Sequence, residues 1–332
     1  MANITFAESS GVNNSIFGKS EAPIKLFLEK KAEAFEAESI VKQIYNMDTS
    51  THYAEKFTAM TAMDGPQPVG ENGNHPVDGM RESYAKTIEH MTWKDRFSIT
   101  REMVDDGRLM DMKGRPQAFI SAWYRNREQF GAALLAGAIS GTTKTYKGQT
   151  FSTASADGKA LFATDHPSIM GGAAQTNKFA GEITASNITK LETAMQNFKG
   201  DNGELLNLCP NTIIIPNIAA AKEAVFAAVG SDKDPATANN AWNYQVGRWN
   251  VIVWNYLNQF LTGADIPWMM FDTRYNEDAH GLEWLDRTQL EVTPYVDHDT
   301  NAFVWDGFGR FGVGFNDWRA IAVAGITGGS DL

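Results

Sequence analysis

The chain has 332 residues, about two domains' worth, and 43% of them are hydrophobic, enough for a core. Its net charge of −11 argues against a reader of duplex DNA, since affinity for DNA rests largely on cations at phosphates. The single cysteine, Cys209, permits no intrachain disulfide, and no apolar run approaches the ~18 residues of a membrane helix. No base precedes Lys19, so we expect no secretory signal and synthesis in a reducing cytoplasm.

The charge is unevenly distributed along the chain. Residues 81–127 carry ten Lys and Arg against seven Asp and Glu, whereas residues 200–332 carry seven against seventeen. Opposite charges on two parts of one chain suit copies that pack part against part. For any single charge, ordinary solvated surface is the alternative.

The first elements are an irregular arm at residues 1–19 and a helix from an N-cap at Ser20 to about Met47. Residues 51–99 then predict an extended two-stranded loop with a flexible tip. Its strands are expected at 52–63 and 84–99. A hairpin this long is marginal alone and needs a surface to lie on. A neighbouring subunit would supply one, and a disordered surface loop is the alternative.

A long, bent helix is predicted next. Thr100 caps its first stretch, Gly114 and Pro116 interrupt it, and a stronger apolar periodicity follows. The remaining chain reads as mixed α and β. Two helices are expected, one at 188–198 and one that Pro216 begins and Gly230 stops, with strands at 212–215, 249–254, 268–271, 281–285, 290–295, 302–305 and 318–324.

Residues 157–167 (DGKALFATDHP) contain a candidate catalytic group. His166 could act as a general base oriented by Asp165, with Ser168 as the nucleophile. Adjacent side chains on an extended chain point apart, however, so Asp165 could not readily hold His166. The surroundings of a serine hydrolase nucleophile, G-x-S-x-G, are also missing. A turn explains the segment adequately, and no catalytic residue is assigned.

Two other patterns mimic binding sites. Gly307, Gly309 and Gly312 match a dinucleotide fingerprint, but only twenty residues follow, and the alternation of aromatic and small residues predicts a strand. Asp297 and Asp299 with Asn301 match the start of a calcium loop that lacks its glycine and final glutamate. The histidines show no ligand spacing, so no metal or cofactor is expected. The nine tryptophans are expected in the core and at interfaces.

Four motifs carry a resemblance to a known family. They are residues 157–167, residues 209–226 (CPNTIIIPNIAAAKEAVF), WNVIVWNYL followed by PWMMFDT in residues 249–273, and residues 303–325 (FVWDGFGRFGVGFNDWRAIAVAG). In this order they resemble the major capsid proteins of tailed bacteriophages, particularly the Mu-like major head subunit group. The resemblance covers about half of the chain.

The resemblance implies an α+β fold of the Hong Kong 97 type with an N-terminal arm, an extended loop, a spine helix, and peripheral and axial domains. The expected boundaries are 1–50 for arm and helix, 51–99 for the extended loop, 100–190 for the peripheral domain, 191–288 for the axial domain, and 289–332 for C-terminal strands returning to the peripheral domain. No residues match the covalent crosslinking of some relatives. The implied function is a major capsid subunit of an icosahedral shell around a phage genome.

The implied partners are other copies in pentamers and hexamers, portal and scaffolding proteins, and enclosed double-stranded DNA. The protein would be made in the host bacterial cytoplasm and reside in the virion. Two alternatives stay open: an encapsulin-like compartment shell, and a hydrolase using Asp165 and His166. The basic, aromatic second arm of the loop is expected to lie across an acidic surface of an adjacent subunit, with contact residues Lys86, Trp93, Lys94, Arg96 and Phe97.

Overall fold

The computed structural model describes residues 5–6, 18–61, 65–66, 68–71, 73–75, 77, 81–106, 109–230 and 243–332 of an α+β protein. The helices are α1 (Gly18–Ala37), α2 (Val41–Ile44), α3 (Arg101–Asp105), α4 (Leu109–Ser140), α5 (Ala185–Gln196), α6 (Ala219–Val229), α7 (Leu257–Phe260) and α8 (Thr273–Ala279). The strands are β1 (Thr5–Phe6), β2 (Asn46–Thr49), β3 (Ala54–Met60), β4 (Glu82–Glu89), β5 (Met91–Ile99), β6 (Thr143–Tyr146), β7 (Gln149–Ser152), β8 (Thr212–Pro216), β9 (Asn250–Trp254), β10 (Trp268–Phe271), β11 (Leu282–Val296), β12 (Phe303–Phe315) and β13 (Ile321–Ala324). Within the described ranges, no helix has the length and apolar character needed to cross a bilayer.

The chain divides into two compact units. The first comprises Met1–Glu55, Ile88–Gly131 and Trp284–Val313, and the second comprises Lys56–Thr87, Ala132–Glu283 and Gly314–Leu332. The C-terminal strand β13 pairs with β10, in the part of the chain expected to be axial, whereas β12 pairs with β5.

The first unit is built on a sheet in the order β1-β11-β12-β5, with β2 also paired to β11. Strands β5 and β12 run antiparallel, with Ile99 opposite Phe303 and Met91 opposite Phe311. One face of this sheet and α4 contribute to a shared apolar core. Its buried members are Leu28, Phe97, Ile99, Met103, Phe119, Ile120, Trp123, Leu290, Val292 and Trp305.

Three glycines on β12 allow other groups to approach the strand closely. A Cβ atom on Gly307 would run into the ring of Phe119. One on Gly309 would lie 2.7 Å from Cζ2 of Trp123, closer than real Cβ atoms come. Gly307 and Gly309 therefore make room for aromatic rings of α4, whereas a Cβ atom on Gly312 would lie 2.5 Å from the backbone oxygen of Glu89. The prediction that this segment is a strand is confirmed.

A buried ion pair links α4 to β11 within the first unit. The guanidinium of Arg127 donates two parallel hydrogen bonds to Asp286, Nη1 to Oδ1 at 2.9 Å and Nη2 to Oδ2 at 2.8 Å. The same guanidinium lies 4.8 Å from the ring centre of Trp284 and 5.0 Å from that of Phe311. Bidentate geometry and flanking rings compensate the charge for its loss of water.

The second unit contains a sheet in the order β13-β10-β8-β9. Strand β8 is buried at every position, pairs parallel with β9 and antiparallel with β10, and so forms the centre of the sheet. The predicted strands β8, β9 and β10 are confirmed. Helix α6 ends at Gly230 as predicted, and α5 begins at an N-cap, Thr184, whose side chain accepts from Asn187 N.

Several predicted elements were wrong in extent. Helix α1 ends at Ala37 rather than near Met47. A turn and the short helix α2 (Val41–Ile44) follow it before strand β2 begins at Asn46. Gly114 and Pro116 lie inside a continuous α4, where one missing backbone donor is offset by the long packed helix that follows. The two strands predicted in residues 281–295 are one strand, β11. No strand was expected at residues 286–289, but β11 continues through them and Asp286 is paired with Arg127.

We expect Gly309→Ala to destabilise the first unit by about 1–3 kcal/mol, because the added methyl group overpacks against Trp123. Gly114→Ala is the matched control. Nothing lies within 4 Å of a Cβ atom on Gly114, and alanine is the better helix former, so this change should stabilise by about 0.5–1 kcal/mol. Urea denaturation followed by tryptophan fluorescence measures both effects. Equal stability of the two variants would contradict the close approach of α4 to β12.

Candidate functional site

The predicted contact strand, β5, presents two different faces. Trp93 and Phe97 turn toward the core of their own chain, where Trp93 stacks on Phe311 with ring centres 5.0 Å apart. Phe97 stacks on Trp305 at 5.8 Å. Their aromatic surface is therefore already used within the subunit. These ring contacts hold β5 against β12 within the first unit.

The other face of β5 carries exposed positive charge. The side chain of Arg96 is 62% exposed and forms an ion pair with Asp306 on β12 at 2.7 Å. The ammonium of Lys94 lies 6.0 Å from the ring centre of Phe308. The contact proposed for this strand consequently concerns Lys94 and Arg96, whose charges remain at the surface.

Lys86, on β4, is engaged within its own unit. Its Nζ donates to Ser152 Oγ at 2.9 Å and to the backbone oxygen of Ala154 at 2.7 Å. Burial lowers the pKa of Lys86, although the nearby charge of Asp157 opposes that shift. The ammonium of Lys86 therefore already has two acceptors within the second unit.

His166 lies at the centre of a buried polar cluster in the second unit. Its ring is stacked on Trp318, with centres 4.2 Å apart and planes 9° from parallel. Nδ1 is 2.6 Å from Oδ2 of Asp157, and Nε2 is 3.1 Å from Oδ1 of Asn177. The side chain of His166 is fully buried, so no substrate can reach it.

The hydrogen bonds of Asn177 determine which of its side-chain atoms faces His166. The amide nitrogen of Asn177 donates to three backbone oxygens, those of Leu161, Trp318 and Ile321. Its Oδ1 must then be the atom that faces His166, where it also accepts from Ala163 N. Oxygen atoms of Asp157 and Asn177 therefore face the two ring nitrogens of His166.

Asp157 is held as a carboxylate by its neighbours. Burial by itself would raise the pKa of Asp157, but hydrogen bonds from His166, Ser155 and the backbone of Lys159 lower it. The carboxylate sits in a turn whose glycine, Gly158, has a φ of 81°, a value that favours glycine. The motif at residues 157–167 thus builds a buried acid–histidine pair.

The candidate hydrolase residues do not come together. Asp165 forms an ion pair with Lys159, and so the prediction that it does not orient His166 is confirmed. The hydroxyl of Ser168 donates to the backbone oxygen of Asp201. The acid that does hold His166, Asp157, was missed. It stands nine residues earlier in the same motif, and nothing local signalled that a turn would bring it back.

The apparent calcium loop is the turn between β11 and β12. Oδ1 of Asp297 accepts from Asp299 N at 3.1 Å, and Oδ2 accepts from the hydroxyl of Thr300 at 2.7 Å. The left-handed Asn301, with a φ of 50°, completes the reversal. The carboxylate oxygens of Asp297 thus serve the turn itself.

A second buried ionic cluster adjoins the first. Arg319 pairs with Asp201 at 3.0 Å and with Asp317 at 3.3 Å, and its guanidinium lies 4.9 Å from the ring centre of Trp318. The hydroxyl of Tyr275 donates to the same Asp317. Trp318 therefore lies between a histidine and an arginine, and these contacts join residues 157–167 to residues 317–324.

The predicted role of tryptophan in the core is confirmed for the members that the structure buries. These are Trp123, Trp254, Trp268, Trp284, Trp305 and Trp318. Cys209 is exposed and unoxidised. The contacts described in both units stabilise packed elements.

Solved structures with a similar fold define the structural class of this protein. A fold of the Hong Kong 97 capsid type is shared with the capsid structure of the cyanophage P-SCSP1u, with a TM-score of 0.52, 10% identity, and coverage of 87% of this chain and 88% of that one. A Mycobacterium phage Patience structure gives a TM-score of 0.51, 10% identity, and coverage of 98% and 93%. The bacteriophage JBD30 capsid, decorated with minor capsid protein trimers, gives 0.50, 16% identity, and coverage of 66% and 91%.

The family of this chain is identified by comparing its sequence with family models. A family model described as phage capsid protein matches residues 83–324, and the chain belongs to that family. No curated protein sequence matches it. The protein is a structural, self-associating subunit of a phage capsid, and its place is the virion.

We expect Asp157→Asn to destabilise the second unit by about 3–5 kcal/mol near neutral pH, because it removes one charge of a buried pair. The folded-state pKa of Asp157 lies below its unfolded value, about 3.9, so the contribution is present above that value and lost as pH falls through the folded pKa. Urea denaturation at pH 7 and pH 3 should show the difference from the parent shrinking in acid.

Asp165→Asn is the control from the same motif. The side chain of Asp165 is 59% exposed and its partner is an exposed lysine, so little stability should change at either pH. If both variants lost the same stability, the Asp157–His166 pair would not be the structural centre of this motif.

Proposed function

We propose that this chain is the major capsid subunit of a tailed phage of the Mu-like group. It assembles into a closed icosahedral shell of pentamers and hexamers, made in the cytoplasm of a bacterial host. The observation that carries the proposal is the family match over residues 83–324. Portal and scaffolding proteins are its further partners. The enclosed double-stranded DNA is contained without sequence-specific contacts, as suits a chain of net charge −11.

The extended loop is proposed to lie over an adjacent subunit. Its strands β3 and β4 pair only with each other in the described chain, and an isolated two-stranded ribbon is marginal in water. Tyr53, Val69 and Val77 are exposed along it, with Val77 98% exposed. Apolar side chains on a ribbon without a core of its own support contact with another copy.

The protein is proposed to have no catalytic activity. The acid–histidine pair of the motif at 157–167, Asp157 with His166, is buried and has both ring nitrogens engaged. Its role is structural, and His166→Ala should weaken folding or assembly without removing any turnover.

We expect the purified protein to form capsomers or closed shells. Exposed ion pairs contribute only about 0–1 kcal/mol each, but many contacts repeated by symmetry hold a shell together. Electron microscopy and light scattering across salt and protein concentrations measure this directly. Compact monomer under every condition would contradict the proposal.

The positive face of β5 is proposed to meet an acidic surface of the neighbouring subunit. Changing Lys94 and Arg96 together to Glu should then weaken assembly far more than folding, since like charges would face each other at every repeated contact. The exposed Arg96–Asp306 pair lost in the variant contributes little to folding. Raised salt should partly restore assembly, because screening acts within ~10 Å at 0.1 M.

Arg101→Glu is the control for this charge change. Arg101 is 68% exposed and pairs with Asp105 one helical turn away, outside β5. Light scattering of assembly at low and high salt compares the variants. Assembly of the double variant at the parent's rate in low salt would exclude the charge pairing, and the capsid assignment would stand.

A further inference from the structure

Strand β4 of the extended loop is fastened to the body of the second unit at two points. Ser83 Oγ donates to Asp201 Oδ2 at 2.6 Å, across 118 residues of sequence. Three residues later, Lys86 Nζ donates to Ser152 Oγ and to the oxygen of Ala154. Both points lie near the start of β4, in Glu82–Glu89, where the chain returns from the loop tip.

The groups that receive these bonds are themselves rigidly held. Oδ1 of Asp201 pairs with Arg319, so Ser83 is bonded to the buried arginine cluster through one carboxylate. Asp201 is only 7% exposed in its side chain. A hydrogen bond to such a preorganised, charged acceptor is stronger and more directional than one to a mobile surface acid.

The segment that accepts the hydrogen bonds of Lys86 is also held in place. Ser152 and Ala154 flank Thr153, which is fully buried and donates from its hydroxyl to the backbone oxygen of Gly141 at 2.7 Å. Lys86 is half-buried, and burial lowers its pKa. A long ammonium side chain held against a fixed backbone segment has lost most of its rotamer freedom, which a merely solvated lysine would keep.

We propose that Ser83 and Lys86 form a clasp that fixes the direction in which the extended loop leaves its own subunit. The inference rests on the proposed shell function, in which the loop lies on a second copy. A ribbon that cannot stabilise itself would otherwise sample many directions, and ordering it would cost free energy at each contact. The clasp does this ordering before assembly, so the partner meets a loop already in position.

The test compares unassembled subunits by hydrogen exchange and mass spectrometry. In Ser83→Ala/Lys86→Met, amides of β3 and β4 should exchange on the order of tenfold faster than in the parent, as expected from losing these hydrogen bonds. Exchange in β8 and β10, the centre of the sheet, should not change. Assembly of this variant should also be slower at equal protein concentration.

Lys56→Met, on β3, is the matched control, because Lys56 is exposed. It removes the same charge from the same ribbon and should leave exchange and assembly unchanged. If the double variant fails to fold, Ser83→Ala alone removes one hydroxyl and gives the same measurement. Parent-like exchange in β3 and β4 overturns the clasp.

The two proposals fail in different ways. If the parent never assembles but the double variant exchanges faster in β3 and β4, the clasp stands and the shell function does not. If the parent assembles and the double variant shows parent-like exchange, the shell function stands and the clasp does not. Equal acceleration in Lys56→Met would also overturn the clasp, since it would mean that any lost charge loosens the ribbon.

Discussion

The buried fork between Arg127 and Asp286 constrains the first unit more than any other described contact. It joins the long helix α4 to strand β11, and the rings of Trp284 and Phe311 flank the guanidinium. Loss of either partner would leave an uncompensated charge, a defect that typically costs about 3–5 kcal/mol. Because the fork sets where the helix lies on the sheet, it also sets which β12 positions must be glycine.

The second unit also contains buried charged groups that are paired, but it uses different residues. Trp318 is stacked between His166 and Arg319, which contact the acids Asp157 and Asp201 respectively. Buried charges of this kind are costly when unpaired and specific when paired, so they favour a single arrangement of the surrounding loops. The motif at 157–167 joins the C-terminal strand through this stack, which explains why segments far apart in sequence carry the resemblance together.

A shell protein contacts its partners through its surface. The Arg127–Asp286 pair and the stack around Trp318 lie in the interiors of their units. The exposed cations of β5 lie on the opposite face of the strand from Trp93 and Phe97. These two rings pack against β12, and so hold the strand in place. The extended loop is bonded at β4 to Asp201, itself part of the arginine cluster. The position of β4 and the buried arginine cluster of the second unit are in this way physically connected.

Elements whose signals are local could be predicted from the residues alone: the buried strand β8, the end of α6 at Gly230, and the glycine-bearing strand β12. Contacts between distant segments determine which acid holds His166 and make the polar middle of β11 continue as strand. Those outcomes depend on partners brought close by folding, Asp157 through a turn and Arg127 from a distant helix. Spacing along the chain reports backbone periodicity, whereas the pairing of buried charges is set by distances in space, and for that reason it could not be predicted from the sequence.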